Sequence, residues 1–278
     1  MVIFVYNGVL VGRKLSLLFY FLMILNPLEQ FNIFSLFIFF ENISIESYTA
    51  LAFTNTNFFV LLNMVIFLFF FKLLNLKKST TIIPNRFQYL LESIYNFILE
   101  MLVENLGTKA KDYFSWVFFV FIFLLIMNVS GMVPYSFTLT SHLIITFWLG
   151  LGLFIGINIV AISTHGVNFL SLFLPSGVSL ALAPLLIGIE LISYFIRVVS
   201  LSVRLFANMM SGHILLKVLL GFSWTMMISG TPLLYLLHFI PLLVVFLLIG
   251  LELAVAFIQA YVFTMLLCIY LNDAINLH

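Results

Sequence analysis

The sequence predicts an all-α membrane protein with about five membrane-embedded helices and one amphipathic surface helix, the last two membrane helices being long and steeply tilted. Three observations carry this. Of 278 residues, 64% are hydrophobic and only 8% charged, whereas a soluble domain carries about 25% charged residues. There are 34 Phe against 11 basic and 10 acidic residues, so each ionisable side chain needs a reason to sit in hydrocarbon. The apolar runs also have membrane lengths, about 20 residues for a crossing, and two run far longer. The near balance of charge, net +1, argues against a nucleic-acid partner, which needs a basic surface. A single cysteine, Cys268, gives neither a disulfide framework nor a Cys metal cluster. No Gly-x-x-x-x-Gly-Lys-Ser/Thr loop is present, so the chain is not expected to bind ATP itself, and no cofactor is expected.

Two regions are expected, an N-terminal extension and membrane-surface segment over 1–56 and a membrane domain over 57–278. In the first, Leu15 to Leu25 follows Arg13 and Lys14 and spans 11 residues, too few to cross a bilayer. Retained, it forms an extra helix or a surface segment; a signal-like apolar region is the other reading. The first crossing runs from Asn57 to about Leu76, closed by Lys72, Lys77 and Lys78. After a break at Thr80, Thr81 and Pro84 comes Asn85 to Leu106. There Phe87, Leu90, Leu91, Ile94, Ile98, Met101 and Leu102 recur at helical spacing opposite Glu92, Glu100 and Glu104, the pattern of a helix lying on the membrane surface. Lys109 and Lys111 follow, so the basic residues from Lys72 onward gather on one side, the matrix or cytoplasm by the positive-inside rule.

Tyr113 to Val133 and Ser141 to Ser163 form a hairpin of crossings turned at Gly131 and Pro134, with Gly150, Gly152 and Gly156 allowing close helix contact. Residues 164–177 connect it to an overlong segment. Ser179 to Trp224 covers 46 residues with Pro184 only near its start. At about 1.5 Å per residue, an unbroken helix of that length is roughly 69 Å, against a hydrocarbon core of about 30 Å. After Ser229-Gly230-Thr231-Pro232, Leu233 to Ala274 repeats the problem over 42 residues, with only Pro241 and Gly250 as weak points where it could kink. Neither stands upright, and the tilt required exceeds the average of about 20°. Such a pair makes sense wrapped against a large curved partner.

These two segments hold the ionisable residues that need explaining. Glu190, Arg197 and Arg204 are seven apart, which returns to within about 20° of one helix face, and Asn208 rejoins that face. His213 and Lys217 project elsewhere. In the last segment His238, Glu252 and Gln259 share a face at spacings of fourteen and seven, with Asp273 roughly 60° from it. Two inclined helices thus offer facing polar stripes. A charge at a helix centre costs about 2.5 to 3.5 kcal/mol on insertion scales, and such residues mark ion pathways or proton relays. A buried structural ion pair is the competing account, but a pair needs two residues. Here Glu190, Arg204, Asn208, His213, Glu252, Gln259 and Asp273 are strung along both segments. His142 and His165, near segment ends, read as interfacial. Arg197 and Lys217 suit snorkelling or pairing as well as function, and His238 suits either role.

The stretch Leu201-Ser-Val-Arg204-Leu-Phe-Ala-Asn208-Met-Met-Ser-Gly212-His213 resembles the subunit a family of the rotary F-type ATP synthases in its mitochondrial form. The resemblance continues through Glu252-Leu-Ala-Val-Ala-Phe-Ile-Gln259-Ala-Tyr-Val-Phe and the tail Tyr270-Leu-Asn-Asp273-Ala-Ile-Asn-Leu-His278, similar to plant and protist versions, as is Asn26-Pro-Leu-Glu-Gln-Phe31. It is strong from about Phe87 to His278 and weaker before Asn57, with Ser211 where Ala is usual. It implies a multi-pass stator of the F0 sector in the mitochondrial inner membrane, not catalytic alone, working with the ring of c subunits, other F0 stator subunits, lipid and protons. It further implies two offset half-channels against a ring whose subunits each carry a membrane-embedded carboxylate. By motif position Arg204 faces that carboxylate and separates the half-channels, and Asn208 and Gln259 flank it. His213 and Glu252 match the entry half-channel from the intermembrane space, Glu190 and Asp273 the exit to the matrix. Bacterial relatives tend to carry a carboxylate at the His213 position and an imidazole at the Glu252 position, so this chain has the swapped, mitochondrial arrangement.

An unrelated multi-pass proton-coupled transporter is the competing reading. It predicts inverted repeats and helices broken by Gly or Pro at the midplane, and Ser179 to Trp224 shows neither. In a purely structural subunit, Arg204 would tolerate Lys.

Overall fold

A computed structural model describes residues 28–38, 52–76, 86–133, 136–166, 169, 183–228 and 232–276. The expected features at Leu15 to Leu25, at Thr80, Thr81 and Pro84, and at Ser229 to Thr231 lie outside those residues. Among these residues seven α-helices follow one another: α1 (Asn55–Leu76), α2 (Arg86–Leu106), α3 (Ala110–Gly131), α4 (Leu143–His165), α5 (Ala183–Ile228), α6 (Pro232–Leu237) and α7 (Phe239–Ile275). Among the described residues, five stretches are long and apolar enough to cross a membrane: Asn55–Lys72, Ala110–Gly131, Leu143–His165, Pro184–Ile228 and Tyr235–Ile275. The all-α membrane class therefore holds. Its one departure among the described residues is a short antiparallel pair, β1 (Ser35–Ile38) with β2 (Ala52–Thr54), irregular between Ser35 and Phe37.

The chain divides into two compact units. The larger comprises Ile33–Met210 and Leu253–His278, the smaller Met1–Asn32 and Ser211–Glu252. In the larger unit, β2 leads straight into α1, whose start is fixed by Asn55. Its Oδ1 accepts the Thr56 N–H at 2.9 Å and the Phe34 N–H at 3.3 Å. Only one edge of α1 is buried, and its anchor is Phe67, 4.6 Å from the Phe119 ring and 4.7 Å from that of Phe71; edge-on aromatic contacts of this kind add to area burial.

The amphipathic helix α2 buries Ile98, Met101, Leu102 and Leu106 and leaves Glu92, Glu100 and Glu104 exposed, as its periodicity predicts. It stops at Gly107, whose φ of 58° suits glycine, and a tight turn over Gly107–Lys109 launches α3. Helix α3 is central to this unit, with Val117, Val120, Phe121, Ile122 and Leu124 all in the core. Where it turns toward α4, Ser136 Oγ donates to the Ser130 carbonyl at 2.8 Å and Thr138 Oγ1 to Ser141 Oγ at 2.6 Å, so the hydroxyls of Ser136, Thr138 and Ser141 are satisfied locally, while Thr140 Oγ1 is buried without a hydrogen-bond partner among the described residues. His142 stacks on Phe137 at 4.8 Å, and burial lowers its pKa below the usual 6.5. His165 bonds through Nε2 to the Ile275 carbonyl at 2.9 Å. Both histidines thus cap segment ends.

Helix α5 is one unbroken run of 46 residues, and α7 runs for 37. At about 1.5 Å per residue these are roughly 69 and 56 Å long, about twice the hydrocarbon thickness, so neither fits upright. The last segment is not continuous as the sequence reading supposed. It breaks at His238, which sits in a turn between α6 and α7, and its ring bonds through Nδ1 to the Tyr235 carbonyl. Ser223 Oγ donates to the His238 carbonyl at 3.3 Å. With its ring turned back on the break, His238 does not share a helix face with Glu252 and Gln259.

Candidate functional site

Within the larger unit α5 and α7 run antiparallel, because Arg197 meets Asp273 at 3.5 Å while Asn208 Nδ2 donates to Gln259 Oε1 at 2.8 Å. Leu201, Ser202, Leu205 and Met209 turn inward on α5, with Ala256, Ala260, Phe263 and Leu267 inward on α7. This apolar seam sets the rotation of each helix, and the polar groups follow from it. Gln259 is 3% exposed. Asn208 reaches it across the seam.

Arg204 does the opposite. It is exposed and makes no ion pair with any described carboxylate. Ser200 and Ala207, both exposed, lie one turn to either side on its face, so the guanidinium stands on a strip of small side chains that a neighbouring helix can approach closely. The expectation of two facing polar stripes thus holds for Asn208 with Gln259 and for Arg197 with Asp273 but not for Arg204, which makes no ion pair with a described carboxylate of α7.

At the basic-side ends of the two helices, Glu190 and Asp273 meet the same cation. Arg197 Nη2 donates to Glu190 Oε1 at 3.4 Å and its Nη1 lies 3.5 Å from Asp273 Oδ2. Both carboxylates named from the sequence are therefore brought to one place.

In the smaller unit His213 Nε2 lies 3.7 Å from Glu252 Oε1, within ion-pair range but beyond a hydrogen bond. Glu252 is 5% exposed, and neither of its oxygens has a hydrogen-bond partner among the described residues. The two groups are close enough to exchange a proton with little rearrangement. They need room, and Gly212 provides it: a Cβ there would lie 2.6 Å from Glu252 Oε1 and 3.0 Å from its Cδ. Gly212→Ala is expected to displace the carboxyl and to cost about 1–3 kcal/mol through overpacking, read as a lower midpoint of thermal unfolding in detergent. An unchanged midpoint in Gly212→Ala would show that the carboxyl has room to spare.

Sequence reasoning missed Gly212, although a glycine directly before the motif histidine was a usable signal. It also missed Asn128, 0% exposed on α3, whose Nδ2 donates to the Ala256 carbonyl of α7 at 3.2 Å while its Oδ1 has no hydrogen-bond partner among the described residues. A lone Asn in an otherwise apolar run was the signal there. Arg197 was seen but not assigned. No group of three or more His, Cys, Asp and Glu suited to a metal occurs among the described residues.

Helices long enough to span a membrane, with ionisable and amide side chains paired inside those lengths, define a multi-pass membrane protein of the kind that moves ions or protons. Residues 57–272 match the family model described as ATP synthase A chain, and the chain belongs to that family. It is 50% identical over 255 residues to "ATP synthase subunit a" of Chondrus crispus, covering 92% of this chain and 98% of that protein. The protein of the same name from Marchantia polymorpha is 49% identical over 259 residues (91% and 99%), and that from Brassica napus 46% over 257 residues (91% and 97%). Family membership makes the chain the proton-translocating stator subunit of an F0 sector, one component of a larger complex.

Proposed function

We propose that this chain forms two proton half-channels against the c-ring in the mitochondrial inner membrane, with Arg204 separating them. The observation that carries the reading is Arg204 itself: exposed, without a carboxylate of its own among the described residues, and flanked by Ser200 and Ala207. A permanently charged group in hydrocarbon needs an anion, and a strip of small residues lets a partner helix bring one. Arg suits the role because its guanidinium stays protonated even when partly desolvated.

The chemistry follows from the order of residues along the helices. A proton enters through His213 and Glu252 and neutralises a ring carboxylate, which then turns into lipid. A protonated carboxyl arriving from the other side gives its proton to Glu190 and Asp273 on the basic side, and the carboxylate left behind pairs with Arg204. Asn208 and Gln259, bonded to each other, hold the helix faces beside Arg204 in fixed rotation. Each proton moving down 100 mV yields about 2.3 kcal/mol, so several must be gathered per ATP, and a proton that slipped directly between the half-channels would waste its share.

Cross-linking tests the arrangement. A disulfide needs Cα atoms about 4.4–6.8 Å apart, so Ala207→Cys is expected to cross-link on oxidation to a cysteine placed near the ring carboxylate. Ile159→Cys, on α4 and 62% exposed, is expected not to. Cross-linking from Ile159 and none from Ala207 would overturn the reading.

A further inference from the structure

Arg197 lies two turns before Arg204 on α5 and, unlike it, is paired within the chain. Its guanidinium reaches one oxygen of Glu190 at 3.4 Å and one of Asp273 at 3.5 Å, and its Cζ sits over the Tyr270 ring, 5.5 Å from the centroid. The three charged side chains are 31%, 33% and 39% exposed. Ion pairs this exposed contribute little to stability, and the α5–α7 contact in this unit is already made by Leu201, Leu205, Ala260, Phe263 and Leu267. A staple between helices is therefore a poor account of three charges here. One cation against two anions also leaves a net charge of −1, suited to drawing a proton.

We propose that Arg197 is a positioning residue of the exit path, holding Glu190 of α5 and Asp273 of α7 together as a single two-carboxylate station through which protons leave. The inference rests on the exit-path reading of those two carboxylates. Packing brings them close whether or not the cation is present. Without it, two adjacent negative charges repel and a shared proton is given up less readily. Lys is an incomplete substitute, because a point charge lacks the planar fork that engages two carboxylates at once.

The other groups facing Arg197 are Tyr194 on α5 and Tyr270 on α7. Tyr194 donates to Asn158 Oδ1 of α4 at 2.5 Å, and Tyr270 also feels Arg204. From α4, His165 is held by the Ile275 carbonyl at 2.9 Å.

The test uses the whole synthase in liposomes, varying exit-side pH at constant driving force. Arg197→Gln is expected to make ATP about tenfold more slowly at neutral exit-side pH and to recover as that pH rises, its half-maximal point displaced upward by about one pH unit. Arg197→Lys is expected to show a smaller loss and a smaller displacement in the same direction. A role confined to helix packing predicts less assembled complex with an unmoved profile. Wild-type midpoints in both variants would overturn the inference. If Arg197→Gln fails to assemble, Arg197→Lys decides alone, and an unmoved midpoint there overturns it. Glu190→Gln and Asp273→Asn, run alongside, separate the two layers: unchanged rates and profiles in both sink the exit-path reading, whereas slowed synthesis in both with unmoved Arg197 variants sinks only the role of Arg197.

Discussion

Arg204→Gln is expected to abolish proton-driven ATP synthesis while the soluble sector continues to hydrolyse ATP. The expectation follows from where the side chain stands. Its neighbour Leu205 is 0% exposed and anchors the seam with α7, whereas Arg204 is exposed and engages no described carboxylate. Removing it therefore leaves the chain's internal ion pairs intact and should not prevent assembly. What it removes, in the mechanism we propose, is the cation that keeps a passing carboxylate ionised and bars direct passage of protons between the half-channels. Arg204→Lys is expected to fail as well, since the fork that pairs a carboxylate through two nitrogens is lost. Membranes carrying each variant, assayed for ATP synthesis under an imposed proton gradient and for hydrolysis by the detached sector, give the measurement. Synthesis near the wild-type rate in Arg204→Gln would sink the mechanism.

The second large effect is at Glu252. Glutamine has nearly the same shape and cannot ionise, so Glu252→Gln preserves packing around a side chain that is 5% exposed while removing the proton carrier. His213, 3.7 Å away, loses its exchange partner. Proton flux at saturating driving force is expected to fall by about tenfold to a hundredfold, in keeping with the loss of a positioned acid–base group. Passive flux through the F0 sector after removal of the soluble sector reads this directly, and unchanged flux would show that protons enter by another route. His213→Gln is the companion variant and should slow entry by a similar mechanism.

The variants at Arg204, Glu252 and Gly212 change different things and should be separable. Under the proposed mechanism Arg204 governs coupling, so its loss is expected to uncouple. Glu252 governs supply, and its loss is expected to slow a still coupled machine. Gly212 governs only the space beside Glu252, so Gly212→Ala should resemble a mild Glu252 variant and keep its coupling.

Much of the fold was legible before any coordinates. The crossings beginning near Asn57, Tyr113 and Ser141 appear as α1, α3 and α4, starting at Asn55, Ala110 and Leu143, because a run of about 20 apolar residues has few alternatives in lipid. The amphipathic α2 was equally legible, since its glutamates fall opposite a regular apolar row. The break at His238 was legible only in part. Pro241, three residues on, has no N–H for the Leu237 carbonyl and its ring crowds that group, but periodicity did not place the turn, and Ser223 of a different helix adds a bond to it.

The site divides along the same line. Seven polar or ionisable residues in two apolar helices are conspicuous, and composition alone says that each needs a partner. Which partner each one takes is another matter. Helical spacing gives the angle of a residue about its own axis, but it leaves open how the whole helix is rotated against its neighbour. That rotation is set by burial of Leu205, Met209, Ala260 and Phe263, and it decides that Asn208 turns to Gln259, that Arg197 gathers both Glu190 and Asp273, and that Arg204 is left facing outward. Gly212 likewise matters only because the packed structure brings Glu252 up against it. The sequence by itself determined a multi-pass helical membrane protein, its family and the polar and ionisable residues that need partners in the membrane; the pairing of those residues, and the isolation of one arginine among them, came only with the packing of α5 on α7, because a pairing is a relation between helices and a sequence specifies each helix one at a time.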